Sequence, residues 1–435
     1  MFKGDTMKFR LKAVGALVLS MAMLTGISAC GSGDSSGESN GKTVITFWHN
    51  STTGEGKAYW EKVAKAFEKK HSTVDIRIQT IQNEDLDGKL QTALQDEKSA
   101  PDIFLARGGQ KTKDMADAGQ LMDLTNLISD NVRTNHAAAL KGVTFDNKVY
   151  AVPMTTQPEG FWYSKDLFKK AGISKVPTTI NDLYSVVRKL KAAGISPIAL
   201  GAKDAWPAAH WYYSFALREC SDATFATTMK TMKFTDPCWA KAGHDVKKFA
   251  DIKPFNEGFL TTSAQQGAGS SAGLVANHKA AMELMGTWDP GVMGDLTPDK
   301  KLVPDLGYFP FPEVPGGKGE KGAMMGGSDG YAVYIHAPKE AADFLNFAAQ
   351  KENQEAYANA FHTIPANTQA QGVVTYSALK DVLKYYSKAP AMYQYLDTQF
   401  GSNVGNAMNE AVVNLLAGKG TPEQIVSATN AAAQK

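Results

Sequence analysis

Apolar side chains set a strand and helix rhythm over the first part of the folded chain. Val44-Ile-Thr-Phe-Trp-His49 is a strand-like run ending in polar residues, and residues 50–56 form a loop. Trp60, Val63, Ala64 and Phe67 then fall at the i, i+3, i+4, i+7 spacing of one helix face. Val74, Ile76 and Ile78 alternate as a second strand, and Leu86, Leu90, Ala93 and Leu94 make a second helical stripe. Pro101-Asp-Ile-Phe-Leu105 reads as a third, buried strand. Strand, helix, strand, helix, strand predicts an α/β fold with a parallel sheet wrapped by helices. Ligands of such open sheets lie beyond the carboxyl ends of the strands. Residues 48–54, 81–84 and 106–110 should therefore surround one crevice.

The alternation continues through the middle of the chain. Ala151-Val-Pro153 leads into Gly160-Phe-Trp-Tyr163, residues 181–193 are helical by periodicity, and Ser196-Pro-Ile-Ala-Leu200 is a buried strand. An aromatic cluster follows: Trp206, His210, Trp211, Tyr212 and Tyr213. Residues 261–273, rich in Gly, Ser, Thr and Gln, read as a loop with no core to join. Ala280 to Met285 precedes Gly286-Thr-Trp-Asp-Pro290, and Gly326 to Tyr331 reads as a glycine-dense turn before an apolar strand over 332–335. Helices over 396–416 and 422–432 end the chain, and no internal repeat is visible.

The amino terminus changes the picture. Lys3, Lys8, Arg10 and Lys12 precede an uncharged stretch over 13–29, the pattern of a secretory signal over 1–29. Its apolar run falls short of the roughly 20 residues that span a bilayer. Ile27-Ser-Ala-Cys30 resembles the bacterial lipobox, in which the cysteine becomes the diacylated first residue. The Gly/Ser/Asp-rich stretch that follows carries no apolar side chain, so 30–41 reads as a flexible tether. Roughly 400 residues remain, a natural size for two lobes.

Composition narrows the ligand. The chain is 43% hydrophobic and 21% charged, ordinary for a soluble globular protein. A net charge of +2 leaves no nucleic-acid footprint. Arg, which anionic sites recruit for bidentate contacts, is rare, with six against forty Lys. With Cys30 lipidated, Cys220 and Cys238 are an even pair in an exported chain. They are either bridged, which closes a short loop and contributes about 3 kcal/mol, or two buried thiols; the compartment favours the bridge.

Five segments in this order carry a resemblance: Phe47-Trp-His49, Pro101-Asp-Ile-Phe104, Tyr150-Ala-Val-Pro153 with Tyr163-Ser-Lys-Asp-Leu167, Gly286-Thr-Trp-Asp-Pro290, and Gly326 to Val333. Together, behind a lipobox and tether, they resemble the extracellular solute-binding proteins of carbohydrate ABC importers, the family that includes the maltose-binding protein. The details are most like Gram-positive, especially bifidobacterial, binders of α-1,6-linked gluco- or galacto-oligosaccharides. The resemblance implies a periplasmic-binding-protein-like fold of two α/β lobes, with hinge crossings near Val152, Gly327 and Val374. The first lobe would comprise 42–152 plus 329–372, the second 153–328 plus 373–435. Ligand would bind between them and the hinge close on it. It also implies permease subunits as partners, a monomer on the outer face of the cell membrane, and no cofactor or metal.

A pyranose offers one apolar C–H face, which suits a flat aromatic ring, and a rim of hydroxyls, which suits carboxylates and amides. Trp288 sits where the family places a stacking Trp, expected just after a helix and within a Gly-bounded turn with polar Thr287 and Asp289 beside it; the alternative is a core Trp. Trp206 and Trp211 lie where the family offers another platform, and one of them should stack. Trp162 and Trp239 read as core. For the rim, Asp329 with Ser328 lies in a glycine stretch that lets backbone approach ligand, unless its carboxylate caps the turn. His49, Asn50 and Lys57 follow the first strand, Asn83 and Glu84 the second, Arg107 and Gln110 the third. Gln157 replaces an acidic contact of relatives. Tyr393, Tyr395 and Asp397 fall where relatives add aromatic and polar contacts, and His362 reads as structural.

Enzyme readings are weaker. Glycosidases need two carboxylates about 5 to 9 Å apart, and none here sits in a recognisable catalytic motif. Gly-x-Ser-x-Gly, P-loop and His-Glu-x-x-His motifs are missing, and the eight His lack metal-ligand spacing. Other oligosaccharides (xylo-, arabinoxylo- or manno-), a polyamine or phosphate ester, and an anchored hydrolase or adhesin are the competing readings.

Overall fold

The computed structural model describes residues 41–434; the expected signal, the expected tether up to residue 40 and the expected lipidation at Cys30 lie outside them. No helix among the described residues is long and apolar enough to cross a membrane. Two lobes stand side by side, each built on its own sheet.

The first lobe opens as the hydrophobic pattern requires. Thr43–His49 pairs in parallel with Val74–Thr80 on one side and Ile103–Ala106 on the other, while the helices Gly54–Lys70 and Asn83–Ala93 make the crossovers. Gly330–Val333 extends the sheet antiparallel to Ile103–Ala106 and to Ala151–Pro153. Every second residue of the first strand turns inward, so that Ile45, Phe47 and His49 are buried together. Phe47 meets Trp60, Tyr331 and Phe344 edge-on at 4.9, 5.2 and 5.7 Å between ring centroids. Such contacts each add about 0.5–1.5 kcal/mol beyond the area they bury.

The second lobe has a four-stranded sheet in the order Leu306–Pro310, Gly160–Ser164, Ala280–Met285, Ser196–Ile198. The first three are antiparallel and the last pair parallel. The helix Trp206–Glu219 is buried from Pro207 to its end, all round, inside this lobe's core. A third sheet lies between the two, made of Met392–Gln394, Met324–Gly327 and Gln157–Pro158. The chain leaves the first sheet at Pro153, pairs in this small sheet at Gln157 and enters the second sheet at Gly160. It returns from Gly327 to Gly330 through two residues only. Glycine is required at 326, where a Cβ would lie 2.6 Å from Met392 Sδ and 2.8 Å from the Gln157 carbonyl oxygen.

Four local expectations need correction. Ala280–Met285, the segment ahead of Trp288, is a strand and not a helix; all six of its residues are buried, and a short apolar run carries no period that separates the two. The glycine-dense stretch is not one turn, because Gly326 and Gly327 belong to a strand and only Ser328 and Asp329 link it to the next. Residues 261–273 do join a core: Ala264 is buried, its N–H donates to Asp204 Oδ2 at 2.7 Å, and its carbonyl accepts from Ser271 at 3.0 Å. The helix expected over 396–416 breaks between Gln399 and Ser402, where Gly401 has φ +84°.

Cys220 and Cys238 are bridged, tying the end of Trp206–Glu219 to the first turn of Pro237–Asp251 across an 18-residue separation. Loop closure of that size stabilises by about 3 kcal/mol. Replacing both by Ser is expected to lower unfolding free energy by roughly that amount in a urea titration; an unchanged midpoint would assign the bridge no stabilising role.

Candidate functional site

A cleft of about 1540 Å³ lies between the lobes and takes its lining from both. On the first-lobe side it is built at the carboxyl ends of the parallel strands, where the loops 50–54, 82–84 and 107 emerge. Arg107 organises this wall. Its Nη1 donates to Asp329 Oδ2 at 3.1 Å, Nε to Asp87 Oδ1 at 3.2 Å, and Nη2 to Asn83 Oδ1 at 2.7 Å. Asn83 Oδ1 also accepts from Asn50 Nδ2 at 3.1 Å, and Lys111 reaches Asp87 at 2.9 Å. Burial alone would raise the Asp87 carboxyl, but Arg107 and Lys111 beside it more than offset that and hold it at about 2. Asp329 Oδ1 accepts the Gly108 N–H at 3.3 Å, so this carboxylate is fixed at both oxygens and offers ligand only its remaining lone pairs. Arg107 thus uses three of its five N–H donors on protein partners.

The second-lobe wall is aromatic. Trp206 meets Trp288 edge to face at 6.1 Å, Trp288 meets Tyr395 likewise at 6.1 Å, Tyr395 stacks flat on His210 at 4.4 Å, and His210 leans on Trp206 at 5.0 Å. Four rings thus close a circuit on one side of the cleft. Trp288 folds back over Gly286, where a Cβ would lie 2.1 Å from its ring, so only glycine permits this placement. Trp206 Nε1, Trp288 Nε1 and Asp397 Oδ1 are buried polar atoms with no partner among the described residues. At the cleft mouth Gln266 Nε2 donates to Glu84 Oε2 at 3.1 Å, joining the lobes directly. Burial raises the Asp204 carboxyl there, and Glu84 adds to the effect.

Of the residues singled out in the sequence, Trp288, Asp329, Asn50, Asn83, Arg107, Gln157, Trp206, Tyr395 and Asp397 line the cleft, as does Glu84. Six others do not. Trp211 is 1% exposed and stacks on Phe249 in the second-lobe core. His49 is sealed against Phe47 and Trp60, where burial and then Lys57 lower it to about 3, so it is neutral; its Nδ1 accepts the Ser51 N–H. Lys57 points outward from its helix, Gln110 bonds Asp114 at the surface, and Ser328 is buried at the link with its N–H on Gln394. Asp289 is fully buried behind Trp288. Tyr393 is turned to Asp222, whereas His362, read as structural, does line the cleft. His210, Asp204, Gln266 and Tyr331 are lining residues that the sequence reading passed over. His210 had a signal, since it lies i+4 from Trp206 and shares its helix face, while Trp211 at i+5 turns inward.

Asp289 faces another buried carboxyl, Glu283, and among the described residues the oxygens of both are buried with no fixed donor, which leaves only the proton that one acid can lend the other. Burial pushes Asp289 up to about 8, and burial with Asp289 beside it holds Glu283 well above its ordinary range. The pair keeps a proton in the folded state that an unfolded Asp releases near pH 4, so its contribution to stability is full below about pH 4 and lost as pH rises toward 8. Asp289→Asn, which supplies a fixed donor, is expected to melt several degrees above the parent at pH 8, the gap closing toward pH 4. Melting curves that coincide at pH 8 would contradict a shared proton here.

Comparison with known proteins agrees with this architecture. The chain belongs to the family described as bacterial extracellular solute-binding protein, whose model matches residues 50–355. It is 28% identical over 314 residues to an uncharacterized ABC transporter extracellular-binding protein of Pyrococcus horikoshii, covering 69% of this chain and 68% of that one. It is 26% identical over 344 residues to the multiple sugar-binding protein of Streptococcus mutans, covering 76% and 77%. Among solved structures, one described as a chitin oligosaccharide binding protein superposes with a TM-score of 0.80 at 26% identity, over 90% of this chain and 98% of that one.

Proposed function

We propose that this protein is the substrate-capturing component of an ABC importer, binding a neutral oligosaccharide between its lobes without altering it. The observation that carries the reading is the circuit of Trp206, Trp288, Tyr395 and His210, an aromatic wall whose two indole N–H groups, like Asp397 Oδ1, lack partners among the described residues. Unpaired buried polar atoms are costly unless something else satisfies them. A sugar supplies both halves, a C–H face for the rings and hydroxyls for the orphans. The cleft exceeds the roughly 300–1,000 Å³ of small-ligand pockets, which supports a ligand of several rings. The Streptococcus mutans relative is a multiple sugar-binding protein and the superposed structure a chitin oligosaccharide binding protein, which supports the reading.

The finer assignments rest on the sequence: an α-1,6-linked gluco- or galacto-oligosaccharide as ligand, anchoring through a diacylated Cys30, and delivery to permease subunits at the outer membrane face as a monomer. We assign 42–152 with 329–372 to one lobe, 153–328 with 373–435 to the other, and closure to the links between them. A second reading has one observation in its favour. Eight Asp and Glu against four Lys and Arg line the cleft, which opposes an anion but would suit an organic cation against the aromatic wall.

Calorimetry with raffinose, isomaltotriose, xylotriose, mannotriose and spermidine separates these readings. At least one trisaccharide should bind and spermidine should not; binding of spermidine alone would replace the sugar reading with the cationic one. Trp288→Ala should weaken the preferred sugar by about tenfold or more, the loss of one stacking contact, with little change in melting temperature. Undiminished affinity in that variant would remove Trp288 from the site.

A further inference from the structure

Within the aromatic wall one ring is an imidazole. His210 is 3% exposed, yet it lines the cleft, and its ring is fixed on two sides, flat against Tyr395 and tilted against Trp206. Its Nδ1 lies 2.5 Å from Glu159 Oε1. Glu159 is 2% exposed and is itself immobilised through its main chain: its N–H donates to the Met325 carbonyl at 2.7 Å and its carbonyl accepts the Tyr308 hydroxyl at 2.8 Å. It therefore sits, with its backbone fixed, in the link between the small sheet and the second-lobe sheet; Oε1 holds the ring, and Oε2 is buried with no partner among the described residues. His210 Nε2 makes no hydrogen bond to any described residue.

We infer that His210, oriented by Glu159, is the hydroxyl-reading group of the aromatic wall and determines which hydroxyl pattern the cleft accepts. The inference rests on the oligosaccharide reading and adds a specificity residue to it. A short bond between Nδ1 and a buried carboxyl leaves Nε2 as the one free hydrogen-bonding atom of the ring, as acceptor or as donor, and a sugar hydroxyl matches either. Stacking alone discriminates poorly among pyranoses, because each presents an apolar face. A fixed polar atom set among the rings discriminates strongly, since a sugar without a hydroxyl at that point leaves a buried nitrogen unpaired. Glu159 is the positioning residue: it holds the imidazole in one plane and one tautomer, as carboxylates do for histidines whose other nitrogen is engaged.

The test uses the full mature chain and raffinose, isomaltotriose, mannotriose and xylotriose as probes in calorimetry. His210→Phe keeps a flat ring against Tyr395 but has no nitrogen; it should weaken the trisaccharide that the parent prefers by about ten- to hundredfold and flatten the ranking of the four. Glu159→Gln should shift the ranking in the same direction by less, because Gln still accepts from Nδ1 but carries no charge. Parent-like affinities and ranking in His210→Phe would overturn the assignment while leaving the sugar reading intact. A parent protein that binds none of the four counts against the sugar reading and the assignment together. A second measurement needs no variant. In protein labelled with 15N-histidine, the His210 Nε2 resonance should move on saturation with the preferred trisaccharide, and one that stays in place would overturn the assignment.

Discussion

The indole of Trp288 touches Trp206 on one side and Tyr395 on the other, edge to face, and the second-lobe wall depends on that packing. Nothing about it is local. Trp288 comes from the turn after the strand Ala280–Met285, Trp206 from the start of a buried helix, and Tyr395 from the segment after the small sheet. Gly286 lets the indole fold back over the backbone, and the Glu283 and Asp289 carboxyls lie buried behind it. Three distant parts of the chain must fold correctly before the cleft has a flat face to offer.

The opposite wall follows a different rule. It consists of strand ends and helix starts, and its polar groups are tied to one another through Arg107 rather than left free. A charge-assisted network of this kind keeps Asn83 and Asp329 in fixed positions without presenting an unpaired cation to solvent. The two walls therefore divide the work of recognition. The first lobe supplies a rigid, hydrogen-bonding rim, and the second supplies apolar area with a few unpaired polar atoms set into it. The short links at 154–156 and 328–329 join them with little chain to spare.

Much of this was legible in the sequence, and the errors share a cause. Alternation and helical stripes located the first five elements, and the carboxyl-end rule located the loops that border the cleft. Direction within those loops was harder. His49 was grouped with Asn50 because both follow the first strand, but His49 has the parity of Ile45 and Phe47 and faces the core, while Asn50 faces the cleft. The same arithmetic separates His210 from Trp211 on their helix. Ala280–Met285 was not readable as a strand, since a run buried on both faces carries no period. The burial of Asp289 was not readable at all, because Asp beside a presumed binding Trp is ordinarily a contact, and only the three-dimensional neighbour Glu283 shows why it is not.

Ligand should lie between the lobes with its apolar face on the second-lobe rings. A crystal structure of the protein grown with whichever of raffinose, isomaltotriose, mannotriose or xylotriose binds tests it most directly. One pyranose ring is expected parallel to the Trp288 indole, with its hydroxyl rim within hydrogen-bond reach of Asp397 and of the Arg107-bound side chains across the cleft. A sugar bound outside the cleft, or one held in it with no ring against Trp288, would contradict it.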